Sequence, residues 1–136
     1  MRVLVVDDDP GMRAALEAHF LRRGWQVETA ASAADALTKF RREKHPLIVT
    51  DIRMPGEDGL SVMREARTQA PHTAVILLTA FASVPDAVAA MKEGACDYLV
   101  KPVSFEHLEA VAQRILAQAK LQAEACLLYT SDAADE

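Results

Sequence analysis

The chain has 136 residues, 51% of them hydrophobic and 26% charged, with a formal net charge of −5. That is one domain's worth of chain, long enough to bury most of the surface it would expose when unfolded and too short for a second large core. The acidic balance argues against autonomous nucleic-acid binding, which needs a basic stripe, and no apolar run approaches the roughly 18 residues of a membrane helix.

Met1 leads straight into an apolar segment with none of the parts of a secretory signal, so a cytoplasmic location is expected. The two cysteines, Cys96 and Cys126, lack the spacing of a zinc site. No disulfide is expected between them in a reducing compartment, and Cys96 reads as small buried filler.

Residues 2–6 open the chain with a β-branched apolar run, the pattern of a central parallel strand buried on both faces. A helical period follows through Met12, Ala15, Leu16, His19 and Phe20, ended by Gly24. Trp25 then packs at the start of a second strand at 26–30. Ser32 caps a second helix whose apolar face is Ala33, Ala36, Leu37 and Phe40, and a third strand spans 47–50. Asp58 is placed to cap a third helix with Leu60, Met63 and Ala66 inward, followed by Pro71 and a fourth strand at 74–78.

The fourth helix uses Ala87, Val88 and Met91 and ends at Gly94, and a short last strand spans 98–100. The fifth helix shows Phe105, Leu108, Val111, Ala112 and Ile115 on one face, with the pattern continuing through Leu116, Ala119, Leu121 and Ala123. Strand and helix therefore alternate five times. Short right-handed connections then imply an α/β domain with a doubly wound parallel sheet and helices on both faces.

The domain is expected over 1–122, with 123–136 as a linker remnant and irregular tail. Residues 126–136 lose helical periodicity and look like the translation of a transposon-end adapter used in preparing sequencing libraries, a non-native scar to be excluded from fold reasoning. Setting aside its three acids, Asp132, Asp135 and Glu136, takes the net charge from −5 to −2.

Four chemically distinctive residues fall at strand ends: Asp7 and Asp8 after the first strand, Asp51 after the third, Lys101 after the last. Residues just beyond the carboxyl ends of neighbouring parallel strands converge on one crevice. Two like unit charges 4 Å apart repel by about 4 kcal/mol at an effective dielectric of 20, so clustered aspartates call for a cation. Mg²⁺ suits an all-oxygen site, since it binds through one or two carboxylates plus phosphate and water. Lys101 offers a compact positive charge, and Thr79, after the fourth strand, a hydroxyl.

Blander readings exist for each residue. Asp7, Asp8 and Asp9 could cap the first helix, Asp51 could be a turn residue before Pro55-Gly56, and Lys101 a solvated loop lysine. Thr79 could be an ordinary strand-end hydroxyl, and Tyr98 an aromatic that only packs. Their coincidence in register favours the site, with Asp9 left as helix-start structure. His19, His45, His72 and His107 show no ligand spacing and read as surface or packing residues.

From Met1 to about Gln122 the sequence resembles the receiver domain of bacterial two-component response regulators. The resemblance is carried by Val5-Val6-Asp7-Asp8-Asp9-Pro10, Thr50-Asp51-Ile52-Arg53-Met54-Pro55-Gly56-Glu57-Asp58-Gly59, Leu77-Leu78-Thr79-Ala80 and Gly94-Ala95-Cys96-Asp97-Tyr98-Leu99-Val100-Lys101-Pro102. It implies a flavodoxin-like sheet of order 2-1-3-4-5 with five helices, and phosphorelay signalling rather than enzymatic turnover. By the same resemblance Asp51 accepts a phosphoryl group from a sensor histidine kinase. Asp7, Asp8, Asp51 and the backbone carbonyl of Arg53 hold Mg²⁺, with Mn²⁺ as a substitute, and the phosphoryl oxygens meet Lys101 and Thr79.

A switch coupling Thr79 to Tyr98 is implied, as are a cis peptide before Pro102 and homodimerisation through the surface of the fourth helix, fifth strand and fifth helix. The segments around Asp51 and over Ala87-Val88-Ala89-Ala90-Met91-Lys92-Glu93-Gly94-Ala95 are most similar to the nitrogen-regulatory, sigma-54 activator class. In that class an ATPase and a DNA-binding output domain follow the receiver. Val103 departs from the phenylalanine many relatives carry after Lys-Pro, which bears on local packing only. Arg53 and Phe81 occupy places that tune phosphoryl lifetime in the family.

Three other functions compete with this reading. An aspartyl-phosphate hydrolase of the haloacid dehalogenase type shares the aspartate, Mg²⁺ and lysine, but wants a second aspartate where Arg53 stands. A pseudo-receiver used only for binding has little motive with Asp7, Asp8, Asp51 and Lys101 all present. A nucleotide-binding flavodoxin-like protein lacks a glycine-rich loop after the first strand.

Overall fold

The computed structural model describes residues 1–54, 59–80 and 83–118. The expected cap Asp58, the rate-tuning position Phe81, the helical continuation from Ala119 and the tail all lie outside the described residues.

Five parallel strands form one sheet: β1 (Arg2–Val6), β2 (Gln26–Ala30), β3 (Leu47–Asp51), β4 (Ala74–Thr79) and β5 (Asp97–Val100), in the order β2-β1-β3-β4-β5. The connecting helices are α1 (Pro10–Arg22), α2 (Ala33–Glu43), α3 (Gly59–Gln69) and α4 (Val84–Glu93), followed by α5 over 105–118. The expected doubly wound α/β fold and its strand order are borne out. Among the described residues no helix is long and apolar enough to cross a membrane.

Alternation along the strands sorts the core into two layers. Val3 and Val5 of β1, Leu47 and Val49 of β3 and Ile76 and Leu78 of β4 face Leu16 and Phe20 of α1 with Leu108, Val111, Ala112 and Ile115 of α5. The intervening Leu4, Val6, Ile48, Val75 and Leu77 face Ala36, Leu37 and Phe40 of α2 with Val62, Met63 and Ala66 of α3. Both faces of the central strands are covered, which is why they read as unbroken apolar runs. Each large side chain buried this way contributes roughly 1.5–3 kcal/mol.

The punctuation marks behave as expected. Asp9 caps α1, its side chain accepting from the N–H of Gly11, and Ser32 caps α2. Gly24 and Gly94 take positive φ just past α1 and at the end of α4. Trp25 stacks on Phe20 with ring centroids 4.8 Å apart. Cys96 is half-buried rather than buried, packed against the α1–α5 layer.

The expected inner face of α4 needs correction. Ala90 is its only buried residue, while Val84, Val88 and Met91 are 77%, 47% and 46% exposed. Apolar residues occur nearly all the way round this helix, so periodicity could not choose a face. Packing selected small Ala90, which joins the same buried cluster as Ala95.

Candidate functional site

The chain runs from β1 outward to β2, then crosses back over β1 to place β3 on its other side. The crevice at the carboxyl ends of β1 and β3 is therefore the topological switch point, where open α/β sheets bind ligands. Asp7 follows β1 directly and Asp51 ends β3. Gly59, opening α3, lies so close that a Cβ there would sit 2.2 Å from the carbonyl oxygen of Asp51.

Asp7, Asp8 and Asp51 each bring one carboxylate oxygen to within 4.8 Å of the others. Asp7 is 1% exposed, Asp51 is buried and Asp8 is exposed. Lys101 Nζ bridges the two buried acids, donating to Asp7 Oδ2 at 2.9 Å and Asp51 Oδ2 at 3.2 Å. The Lys101–Pro102 peptide is cis, as the resemblance implied. Thr79 is buried at the end of β4, and the N–H of Arg53 stands 3.4 Å from Asp51 Oδ1, a long contact for a hydrogen bond.

Burial is the larger influence on Asp51 and holds its carboxyl above the ordinary carboxylate range, against the opposing pull of the Lys101 ammonium. At Lys101 burial acts to lower the pKa, but the hydrogen bonds and charges of Asp7 and Asp51 outweigh it, so the ammonium sits above the ordinary lysine value. The cluster is thus less acidic in effect than its sequence: one lysine is stitched into it. Lys101 lies in the crevice expected from its place after the last strand, and it spans both acids, which no local pattern signals.

A cavity of about 290 Å³ adjoins this crevice, lined by Ile52, Arg53, Leu60, Thr79, Asp86, Ala89 and Tyr98. It brings Thr79 and Tyr98 to one space and sets the first half of α4 over it. Tyr98 also packs against the α2–α3 layer. Asp7, Asp8, Asp51 and Lys101 thus meet in the crevice, and Arg53, Thr79 and Tyr98 line the cavity beside it.

Arg13 and the carboxylate partners of two histidines have no clear signature in the sequence. Arg13, one turn into α1, donates from Nη1 to the main-chain carbonyl of Asp7 at 2.8 Å. Its spacing of four from the capping Asp9 was the only available signal. His19 and His45 are buried, as packing residues would be, yet each faces a carboxylate: His19 Nε2 lies 3.8 Å from Glu109 Oε2, and His45 Nε2 lies 2.8 Å from Glu28 Oε1. Those partners come from distant elements, so local sequence could not pair them.

The family profile for the response regulator receiver domain matches residues 3–113. The chain is 39% identical over 120 residues to transcriptional regulatory protein ZraR of Salmonella typhimurium, covering 87% of this chain and 27% of the relative. It is 42% identical over 118 residues to response regulator protein FleR of Pseudomonas aeruginosa, covering 86% and 25%. The chain therefore spans about a quarter of the length of these curated relatives.

Among solved structures, a response regulator receiver domain protein from Clostridium thermocellum superposes with a TM-score of 0.84 at 32% identity, covering 89% of this chain and 98% of that one. NtrX from Brucella abortus, in complex with ADP, gives a TM-score of 0.87 at 31% identity, covering 93% of this chain and 29% of that one.

Proposed function

Because this chain belongs to the response regulator receiver domain family of two-component signalling, we propose that Asp51 accepts a phosphoryl group from a sensor histidine kinase and that the domain converts this into a change of shape. The observation that carries the reading is the meeting of three carboxylate oxygens within 4.8 Å, with Lys101 hydrogen-bonded to two of the acids.

In transfer, an Asp51 carboxylate oxygen forms the new bond to phosphorus as the phosphorus–nitrogen bond of the kinase's phosphohistidine, protonated on its other ring nitrogen, breaks, leaving an acyl phosphate and a neutral imidazole. Positioning and electrostatics supply most of the catalysis in such reactions. Lys101 is placed to exchange its contact with Asp51 for one with a phosphoryl oxygen, and the Thr79 hydroxyl can donate to another.

The donor set fits a hard divalent cation: three clustered carboxylates, two of them buried, with oxygen as the only ligand type. Asp7, Asp8, Asp51 and the Arg53 carbonyl would hold Mg²⁺ or, in its place, Mn²⁺. When bound, the ion offsets charge on the transferring oxygens.

Phosphorylation adds roughly −1.5 to −2 charge. A Thr79 drawn toward it would open the adjoining cavity to Tyr98, biasing α4 through Asp86 and Ala89. The exposed Val84, Val88, Met91 and Val100 on α4 and β5 supply an apolar surface for homodimerisation, with α5 completing it. We read the receiver as ending near residue 122 of a cytoplasmic regulator of the sigma-54 activator class, with ATPase and DNA-binding output beyond the receiver, and neither membrane nor nucleic acid as its own partner.

Adding Mg²⁺ with beryllofluoride, a mimic of a phosphoryl group, should shift the amide resonances of Thr79 and Tyr98 saturably, and Asp51→Asn should abolish the response. An unchanged response in Asp51→Asn would remove Asp51 as acceptor. Sustained turnover of a small phosphomonoester would favour a hydrolase instead.

A further inference from the structure

The turn that carries Asp7 and Asp8 is tied to α1 by a cation that the phosphoryl chemistry does not use. The residue at its root, Asp7, is fixed on every side. Its N–H donates to the Ala30 carbonyl at 3.1 Å, its Oδ1 accepts from the Asp9 N–H at 2.9 Å, and its Oδ2 accepts from Lys101 at 2.9 Å. Its carbonyl accepts from Arg13 Nη1 at 2.8 Å.

Asp8 is different. It is exposed and makes no hydrogen bond or ion pair among the described residues, so what orients it is its own backbone, which begins with the peptide that links it to Asp7. That peptide's carbonyl is the group Arg13 holds. A planar guanidinium suits the task, since it stays charged and offers several donors in a fixed fork.

We propose that Arg13 is a positioning residue for divalent-cation binding: through the Asp7 carbonyl it sets the orientation of the 7–8 peptide, and so aims Asp8 at the cluster it shares with Asp7 and Asp51. The proposal rests on the reading of Asp8 as a metal ligand.

Two effects of Arg13 have opposite signs, which makes the idea testable. A guanidinium beside a divalent-cation site repels the ion, so a role through charge alone predicts tighter binding once the arginine is gone. A role in positioning predicts weaker binding. Groups that orient metal ligands typically change affinity by about 10–100-fold when lost.

The experiment is a Mg²⁺ titration of the unphosphorylated full chain followed by amide chemical shifts, with no phosphoryl donor present. Arg13→Met, which keeps the aliphatic stem but no donor, should weaken Mg²⁺ binding roughly tenfold and speed hydrogen exchange of the Asp9 amide. Arg13→Lys, which keeps the charge and a donor but not the planar fork, should lose clearly less than roughly tenfold and serves as the reading if the methionine variant does not fold. Equal or tighter binding in Arg13→Met, or a tenfold loss in Arg13→Lys with an unchanged Asp9 amide, would overturn the proposal. Asp8→Asn separates the two levels: if it binds Mg²⁺ like the parent, the ligand assignment itself falls and the role of Arg13 falls with it.

Discussion

Lys101→Met should destabilise the metal-free domain and make its stability depend more strongly on a divalent cation. In the parent, Nζ lies 2.9 Å from Asp7 and 3.2 Å from Asp51, and its side chain is only 20% exposed. Each contact represents roughly 5 kcal/mol of attraction at an effective dielectric of 20, most of it offset by desolvation. Removing one partner of a buried ion pair leaves the other uncompensated and costs about 3–5 kcal/mol.

Here two buried carboxylates would face one another with Asp8 beside them, so the upper part of that range applies, moderated as Asp51 takes up a proton. Against a total stability of about 5–15 kcal/mol this is large, and the melting temperature should fall by on the order of 10–20 °C. Thermal unfolding in EDTA, repeated with saturating Mg²⁺, measures it. A cation bound only by the native state stabilises by about 2.7 kcal/mol at a hundred times its dissociation constant. The gain should be larger in the variant, where no ammonium competes for Asp7 and Asp51. Equal metal-free melting temperatures, or equal Mg²⁺ gains in variant and parent, would refute the reasoning.

Asp51→Asn should raise the metal-free melting temperature at pH 7. A folded-state pKa above the unfolded value means that stability is lost as pH rises through it, and asparagine has no such loss. The gap should therefore close as pH falls below the ordinary carboxylate range, and a gap that widened on acidification would contradict the burial of this group. Gly59→Ala places a Cβ 2.2 Å from the Asp51 carbonyl oxygen, a backbone atom with little room to yield. It should destabilise by about 3 kcal/mol or more, and urea unfolding showing a change below about 0.5 kcal/mol would mean that α3 begins elsewhere. Val88→Asp, on the exposed side of α4, should leave stability within about 0.5 kcal/mol yet weaken self-association of the beryllofluoride-loaded protein, as read by sedimentation. Undiminished association would exclude this face.

The strands were legible because a central parallel strand must be apolar on both faces, and 2–6, 47–50 and 74–78 are almost purely so. The site was legible for the related reason that Asp7, Asp51 and Thr79 terminate those runs, and Lys101 the last strand, at one end of the sheet. What escaped was set by tertiary neighbours. The inner face of α4, expected at Ala87, Val88 and Met91, turned out to be Ala90, because apolar residues run nearly all the way round this helix and periodicity is a poor guide there. The bridging position of Lys101 depends on a contact 94 residues away in sequence. Glu109 reaches His19 only because α5 returns to lie beside α1.

Incubation with acetyl phosphate and Mg²⁺, followed by intact-mass measurement and peptide mapping of the acyl phosphate, addresses the role of Asp51 most directly. One phosphoryl group should appear on the parent chain, dependent on Mg²⁺ and mapping to Asp51, and none should appear on Asp51→Asn. Equal labelling of Asp51→Asn, or a label on the parent that maps to another residue, would contradict the assignment.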